Sequence, residues 1–202
     1  FNNNPRAGSI DTPLHAFIPR PHVDHLHPDA CIAIAAAKDS QSLTKEIFGD
    51  EIGWVPWKKP GFELGLMLET EYNKNPDQKG IILGSHGLFT WGNSAKESYE
   101  TTLEIIQKAT DYLASKAEAA PFGGEIKAAL DAGTRNTIAQ TLMPIFRGKL
   151  SEDQFKIGHF NDSAEVLQFV GSARCRELAA MGTSCPDHFL RTKVRPMVLD
   201  LP

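Results

Sequence analysis

The chain has 202 residues, 41% of them hydrophobic and 23% charged, with a formal net charge of −4. That is enough for one domain with a sizeable core and an appendage. The acidic balance excludes a basic nucleic-acid surface, and no apolar run approaches the roughly 20 residues that span a bilayer.

Three cysteines, odd in number and without CxxC spacing, argue against a disulfide framework and for a reducing, cytoplasmic setting. The start at Phe1, without a methionine or an apolar leader segment, carries the expectation of a piece cut from a longer protein.

In chain order, residues 5–13 read as a turn-rich lead-in, with Ser9 or Asp11 placed to cap a helix through Leu14, Ala16, Phe17 and Ile18. Pro19 and Pro21 end it. A buried strand is predicted over 23–27, a small-residue helix from about 29 to 37, and a second helix over 40–48, closed by Gly49. Residues 52–57 read as a strand and 62–72 as a helix after the Pro60-Gly61 break. Residues 81–83 form an apolar strand that Gly84-Ser85-His86-Gly87 interrupts and 88–91 resume. Asn93 and Ser94 cap a long helix over 95–119, with Tyr99, Leu103, Ile106 and Leu113 at helical spacing. Further helices are predicted over 125–146, kinked near Pro144, and over 163–180. The tail after 183 holds three prolines and a predicted short strand over 197–199. Strands alternating with helices, then helices alone, imply an α/β or α+β layered domain over 1–120 and a helical extension and connector over 121–202.

Four histidines fall within thirteen residues, and two of them form His25-Leu26-His27. Residues two apart in a strand point to one face, about 6.5–7 Å apart along the chain, so both imidazoles can reach one metal ion. The alternative on residues alone is a pair of core histidines satisfied by hydrogen bonds. His86 adds a third imidazole between glycines, where the backbone must approach something closely; its plainer reading is a turn residue satisfied by carbonyls. Three neutral imidazoles with an open fourth position make a typical catalytic zinc arrangement.

The blocks Ser9-Ile10-Asp11-Thr12-Pro13-Leu14-His15, Val23-Asp24-His25-Leu26-His27-Pro28 and Leu83-Gly84-Ser85-His86-Gly87-Leu88-Phe89-Thr90-Trp91-Gly92 resemble the class II aldolase/adducin family, in that family's order. The resemblance covers about residues 5–120. It implies a three-layer α/β/α sandwich around a mainly antiparallel sheet, and a divalent metal, usually zinc, held by His25, His27 and His86. It also implies a homotetramer and cleavage of a ketose 1-phosphate to dihydroxyacetone phosphate and an aldehyde. The family's acid/base is usually a glutamate in a Ser-x-Glu block, and the matching residue is Asp11, shorter by one methylene; a helix cap is its plain alternative. The family's Gly-Gly-Asn-x-Ser phosphate loop would lie upstream of Phe1.

The second block and Gly182-Thr-Ser-Cys-Pro-Asp-His-Phe-Leu-Arg-Thr-Lys193 are similar to bacterial proteins that join a rhamnulose-1-phosphate aldolase to a short-chain dehydrogenase. L-rhamnulose 1-phosphate is therefore the leading substrate, and a linked dehydrogenase domain is expected in the parent protein. No GxGxxG follows a strand, so no NAD site is expected within these residues. His188, Arg191 and Lys193 could form an anion site in the tail, against the plainer reading of a charged connector. His15 is expected to orient its helix and His22 to be exposed. Trp54, Trp57 and Trp91 read as core or interface aromatics. The alternatives are epimerisation or decarboxylation at the same metal site, or an adducin-like interaction domain without catalysis; retention of all three histidines argues against the last.

Overall fold

The structure, a computed structural model, describes residues 6–199. Its sheet has four strands, β1 (His22–Leu26), β2 (Ile52–Val55), β3 (Gly80–Leu83) and β4 (Gly87–Gly92), in the spatial order β1-β4-β3-β2. The β1–β4 and β3–β4 pairs are antiparallel and β2–β3 is parallel, so the sheet is mainly antiparallel.

The alternation of side chains along these strands builds two cores. Ile81, Leu83, Phe89 and Trp91 pack against Leu14 of α1 (Thr12–Ala16), Ile18 just beyond it, and Leu64, Leu68 and Tyr72 of α4 (Phe62–Lys74). Ile82 and Leu88 point the other way. They meet Cys31 and Ile34 of α2 (Asp29–Ala35), Phe48 of α3 (Ser40–Phe48), and Ile105 and Ala109 of α5 (Ala95–Ser115). Helices on both faces make the three-layer α/β/α sandwich that the resemblance implied.

The chain forms two compact units, Phe1–Ala117 with Gly182–Pro196, and Glu118–Met181 with Met197–Pro202. Residues 182–196, which sequence grouped with the extension, thus pack with the sheet.

In the second unit, α6 (Ala132–Leu150) starts later than the helix predicted from residue 125. The Ile126 and Lys127 N–H groups are already given to the Gly171 carbonyl, at 2.9 and 3.1 Å, and Glu125 bridges to Ser172. A new start forms where the Asp131 side chain accepts from the Thr134 N–H. The single helix predicted over 163–180 is two, α7 (Ala164–Val170) and α8 (Cys175–Met181). At the break the Ala173 and Arg174 N–H groups turn to the carbonyls of Gly124 and Phe122.

The long helix α5 ends at Ser115, four residues early, its last carbonyls taken by tight bonds from Lys116 and Ala117. Residues 197–199 form no strand. No helix among the described residues is long and apolar enough to cross a membrane.

Candidate metal centre

Strand β1 lies at the sheet edge and turns Val23 and His25 toward the layer of α1 and α4. Its register sets His25 opposite Phe89, and the two rings stack at 4.1 Å between centroids with an interplanar angle of 8°. The His25 Nδ1–H donates to the Leu88 carbonyl at 3.0 Å, which leaves Nε2 as the bare nitrogen of the neutral ring.

His27 falls one residue past the strand, a correction to the predicted span. The following Pro28 restricts the backbone there and offers no N–H to the ladder. Its ring still returns to the same place. Nδ1 lies 2.7 Å from Asp187 Oδ2, and Nε2 lies 3.1 Å from His25 Nε2.

His86 is carried by the three-residue turn from β3 to β4. The turn is held at 2.8–3.0 Å by the Gly84, Ser85 and His86 N–H groups, which bond the carbonyls of Val55, Ala35 and Leu83. Ser85 takes a left-handed φ of 53° to complete it. Gly87 then lets His27 lie against the start of β4. A Cβ there would stand 2.5 Å from His27 Cδ2 and 2.6 Å from the Leu26 carbonyl oxygen.

The three rings sit 4.7–5.0 Å apart between centroids, and one ligand atom from each lies within 4.8 Å of the others. His86 is 3% exposed, and among the described residues its Nδ1 is a buried polar atom without a hydrogen-bond partner. Such an orphan costs about 1–3 kcal/mol unless something binds it. With both Nδ1 atoms facing oxygen acceptors, the His25 and His27 Nε2 atoms face each other as acceptors, so a proton or a cation must sit between them. Tetrahedral ligands at zinc–nitrogen distances of about 2.0–2.1 Å are themselves about 3.3 Å apart. The donor set fits zinc.

Burial pushes the His25 pKa down to about 4, against the opposing pull of the Leu88 carbonyl and of Asp11. Burial, then the neighbouring His25 and His27, pushes His86 down to about 3. Both rings are neutral at pH 7 and present lone pairs. The bond from His27 holds the Asp187 carboxyl below its ordinary range, helped by Arg191 and His188.

Asp11 stands at the N-cap position of α1, but its side chain makes no capping bond; its N–H bonds Ser9 Oγ at 3.1 Å. Neither Ser9 nor Asp11 caps the helix as predicted: Ser9 Oγ accepts from the Asp11 N–H and donates to Asp11 Oδ2 at 3.4 Å, so the two side chains engage each other. The Asp11 charge instead acts on His25, and it lines an open concavity with Ser9, Thr12, His15 and Ala16. His15 meets Phe89 edge-on at 5.3 Å and His25 at 6.4 Å. His22 is exposed.

His188 and Arg191 lie on the exposed side of α9 (Pro186–Thr192), close enough to Asp187 to act on its charge, and Lys193 follows with a left-handed φ of 74°. Trp91 is core, with Nε1 donating to the Gln78 carbonyl, and Trp54 donates to Ser40 Oγ; Trp57 is exposed. A cavity of about 870 Å³ beside α3 and β2 is lined by none of the three histidines. Sequence reasoning missed Asp187. It lies within the 182–193 segment, but nothing local marks a contact made across 160 positions.

Comparison with known proteins follows the same lines. The model for the class II aldolase and adducin N-terminal domain matches residues 2–113, and that for the second domain of class II aldolase matches residues 137–202. The chain is 38% identical over 200 residues to the "uncharacterized oxidoreductase YuxG" of Bacillus subtilis (strain 168), covering 98% of this chain and 29% of that protein. It therefore spans under a third of the length of the curated relative it matches. It is also similar to the solved N-terminal class II aldolase domain of a conserved protein from Thermoplasma acidophilum. There the identity is 31% and the TM-score 0.50, over 55% of this chain and 51% of that one.

Proposed function

The chain belongs to the class II aldolase and adducin family, and from that membership we propose a metal-dependent lyase that cleaves a carbon–carbon bond of a ketose 1-phosphate. The observation that carries this reading is the convergence of His25, His27 and His86, two with Nδ1 engaged and one with a buried orphan nitrogen. These residues would hold zinc or another divalent ion. Such a cation, when bound, supplies Lewis-acid polarisation of a substrate carbonyl.

The chain's own groups do the rest. The Leu88 carbonyl and the Phe89 ring hold His25 in one orientation. Asp11, uncommitted to the helix cap, moves the proton as general acid and base. Arg191 and Lys193 supply positive charge, and His188 a further polar contact, for the substrate phosphate. The leading substrate is L-rhamnulose 1-phosphate, giving dihydroxyacetone phosphate and L-lactaldehyde, with the protein acting as a homotetramer. The relative's printed name, an oxidoreductase of which this chain matches 29%, supports a dehydrogenase domain linked in the parent protein that would oxidise the aldehyde.

The test is a coupled assay for dihydroxyacetone phosphate release from L-rhamnulose 1-phosphate. Cleavage should be abolished by a chelator and restored by zinc. Zinc-loaded protein that cleaves no ketose 1-phosphate would overturn the reaction. Protein that takes up no divalent metal would overturn the site.

A further inference from the structure

Each metal-facing ring on the edge of this sheet needs something to stop it turning. His25 has the Leu88 carbonyl on one nitrogen and Phe89 stacked on its face, both from the paired strand β4. His27 has no ladder position, since β1 ends at Leu26. Its Nδ1 is engaged by one group, the Asp187 carboxylate at 2.7 Å, from the opposite end of the chain.

That carboxylate is presented by a closed loop. Thr183 N–H bonds the Val194 carbonyl at 3.1 Å, and Gly182 at φ 91° comes so near that a Cβ would stand 2.6 Å from the same oxygen. Within the loop, Cys185 is buried with its Sγ 3.3 Å from His188 Nδ1, and Pro186 starts the short helix that bears Asp187. The loop belongs to the same compact unit as the sheet.

We propose that Asp187 is a positioning residue of the metal centre, fixing the tautomer and orientation of His27 and coupling cation binding to docking of residues 182–196. The proposal rests on the metal reading above. A carboxylate on the far nitrogen of a ligand histidine holds the ring so that Nε2 faces the ion and makes it a more basic ligand. By linkage, whatever the docked loop adds to cation affinity, the cation returns to docking of the loop.

The experiment measures zinc affinity of the whole chain by competition with a chromophoric chelator, for wild type, Asp187→Asn and Asp187→Ala. Hydrogen exchange of residues 182–196 is followed with and without zinc. Loss of the carboxylate should weaken zinc binding by about 10- to 100-fold. Zinc should slow exchange across the loop in the wild type and leave it unchanged in Asp187→Ala.

A merely structural tail contact would change the melting temperature and leave zinc affinity within about twofold, with exchange indifferent to zinc. That result overturns the proposal while leaving the metal centre standing. Wild-type protein that binds no zinc overturns the metal reading itself. Should Asp187→Ala fail to fold, the near-isosteric Asp187→Asn decides the question by the same affinity measurement.

Discussion

A buried imidazole is a poor base, because its charged form loses more hydration than the protein returns, and this sets the state of the metal-facing rings. With His25 pushed down to about 4 and His86 to about 3, neither competes for protons at pH 7, and both keep a lone pair for a cation. The Asp11 charge raises the proton affinity of His25, and α1, which follows it, packs on the face of the sheet where His25 stacks on Phe89. Since the Asp11 side chain makes no cap bond, its two possible roles separate cleanly. Asp11→Asn should lower turnover by roughly 10²-fold, with zinc content and melting temperature unchanged, because proton transfer is lost and helix capping is not. Turnover within about threefold of wild type, measured at saturating substrate with bound zinc assayed in parallel, would remove Asp11 from the reaction.

Among the elements, the β3–β4 turn does the most positioning. It places His86 by three backbone bonds, and through Gly87 it leaves room for His27. Gly87→Ala puts a methyl 2.5 Å from an imidazole carbon and 2.6 Å from a backbone oxygen, so β1 and β4 must part or His27 must turn away. The expected cost is about 1–3 kcal/mol of stability, together with weakened zinc binding, read by denaturant titration and chelator competition. Gly148, inside α6 with nothing within 4 Å of an added Cβ, is the control. Gly148→Ala should be neutral or stabilising by up to about 1 kcal/mol, since Ala is the better helix former. Equal behaviour of the two variants would show that the turn has slack.

On the scale of the whole molecule, the chain matches part of a longer protein named as an oxidoreductase, which makes the setting of its paired glycines a test of what these residues bind. Backbone N–H groups approach a pyrophosphate where a glycine-rich turn joins a strand to a helix. Gly84 and Gly87 instead flank a hairpin turn between antiparallel strands, and Gly123-Gly124 lie in the short 3₁₀ segment Pro121–Gly123 and just after it. Titration of the purified chain with NAD and with NADP should give no binding tighter than about millimolar. A micromolar dissociation constant would mean that nicotinamide chemistry belongs to these residues as well.

What the sequence determined by itself is whatever short-range spacing encodes. His25 and His27 stand two apart, one in strand β1 and one just past its end. His86 sits between glycines in a turn, and Ser94 caps α5 by accepting from the Glu97 N–H. The unbroken apolar run 81–83 marks a strand covered on both faces, and strand alternation then sends Ile81 and Leu83 to one core and Ile82 to the other. The tertiary structure decided what depends on distant competition for backbone and side-chain partners. Residues 125–127 are helical by propensity, but Glu125 pairs in an antiparallel bridge with Ser172 and the Ile126 and Lys127 N–H groups go to Gly171, and the helix begins at Ala132 instead. In the sequence Asp187 is one residue of a proline-containing tail, and only closure of the chain across 160 positions brings it to His27. Spacing fixes which face a residue occupies, whereas the identity of its partner follows from packing, which no local pattern records.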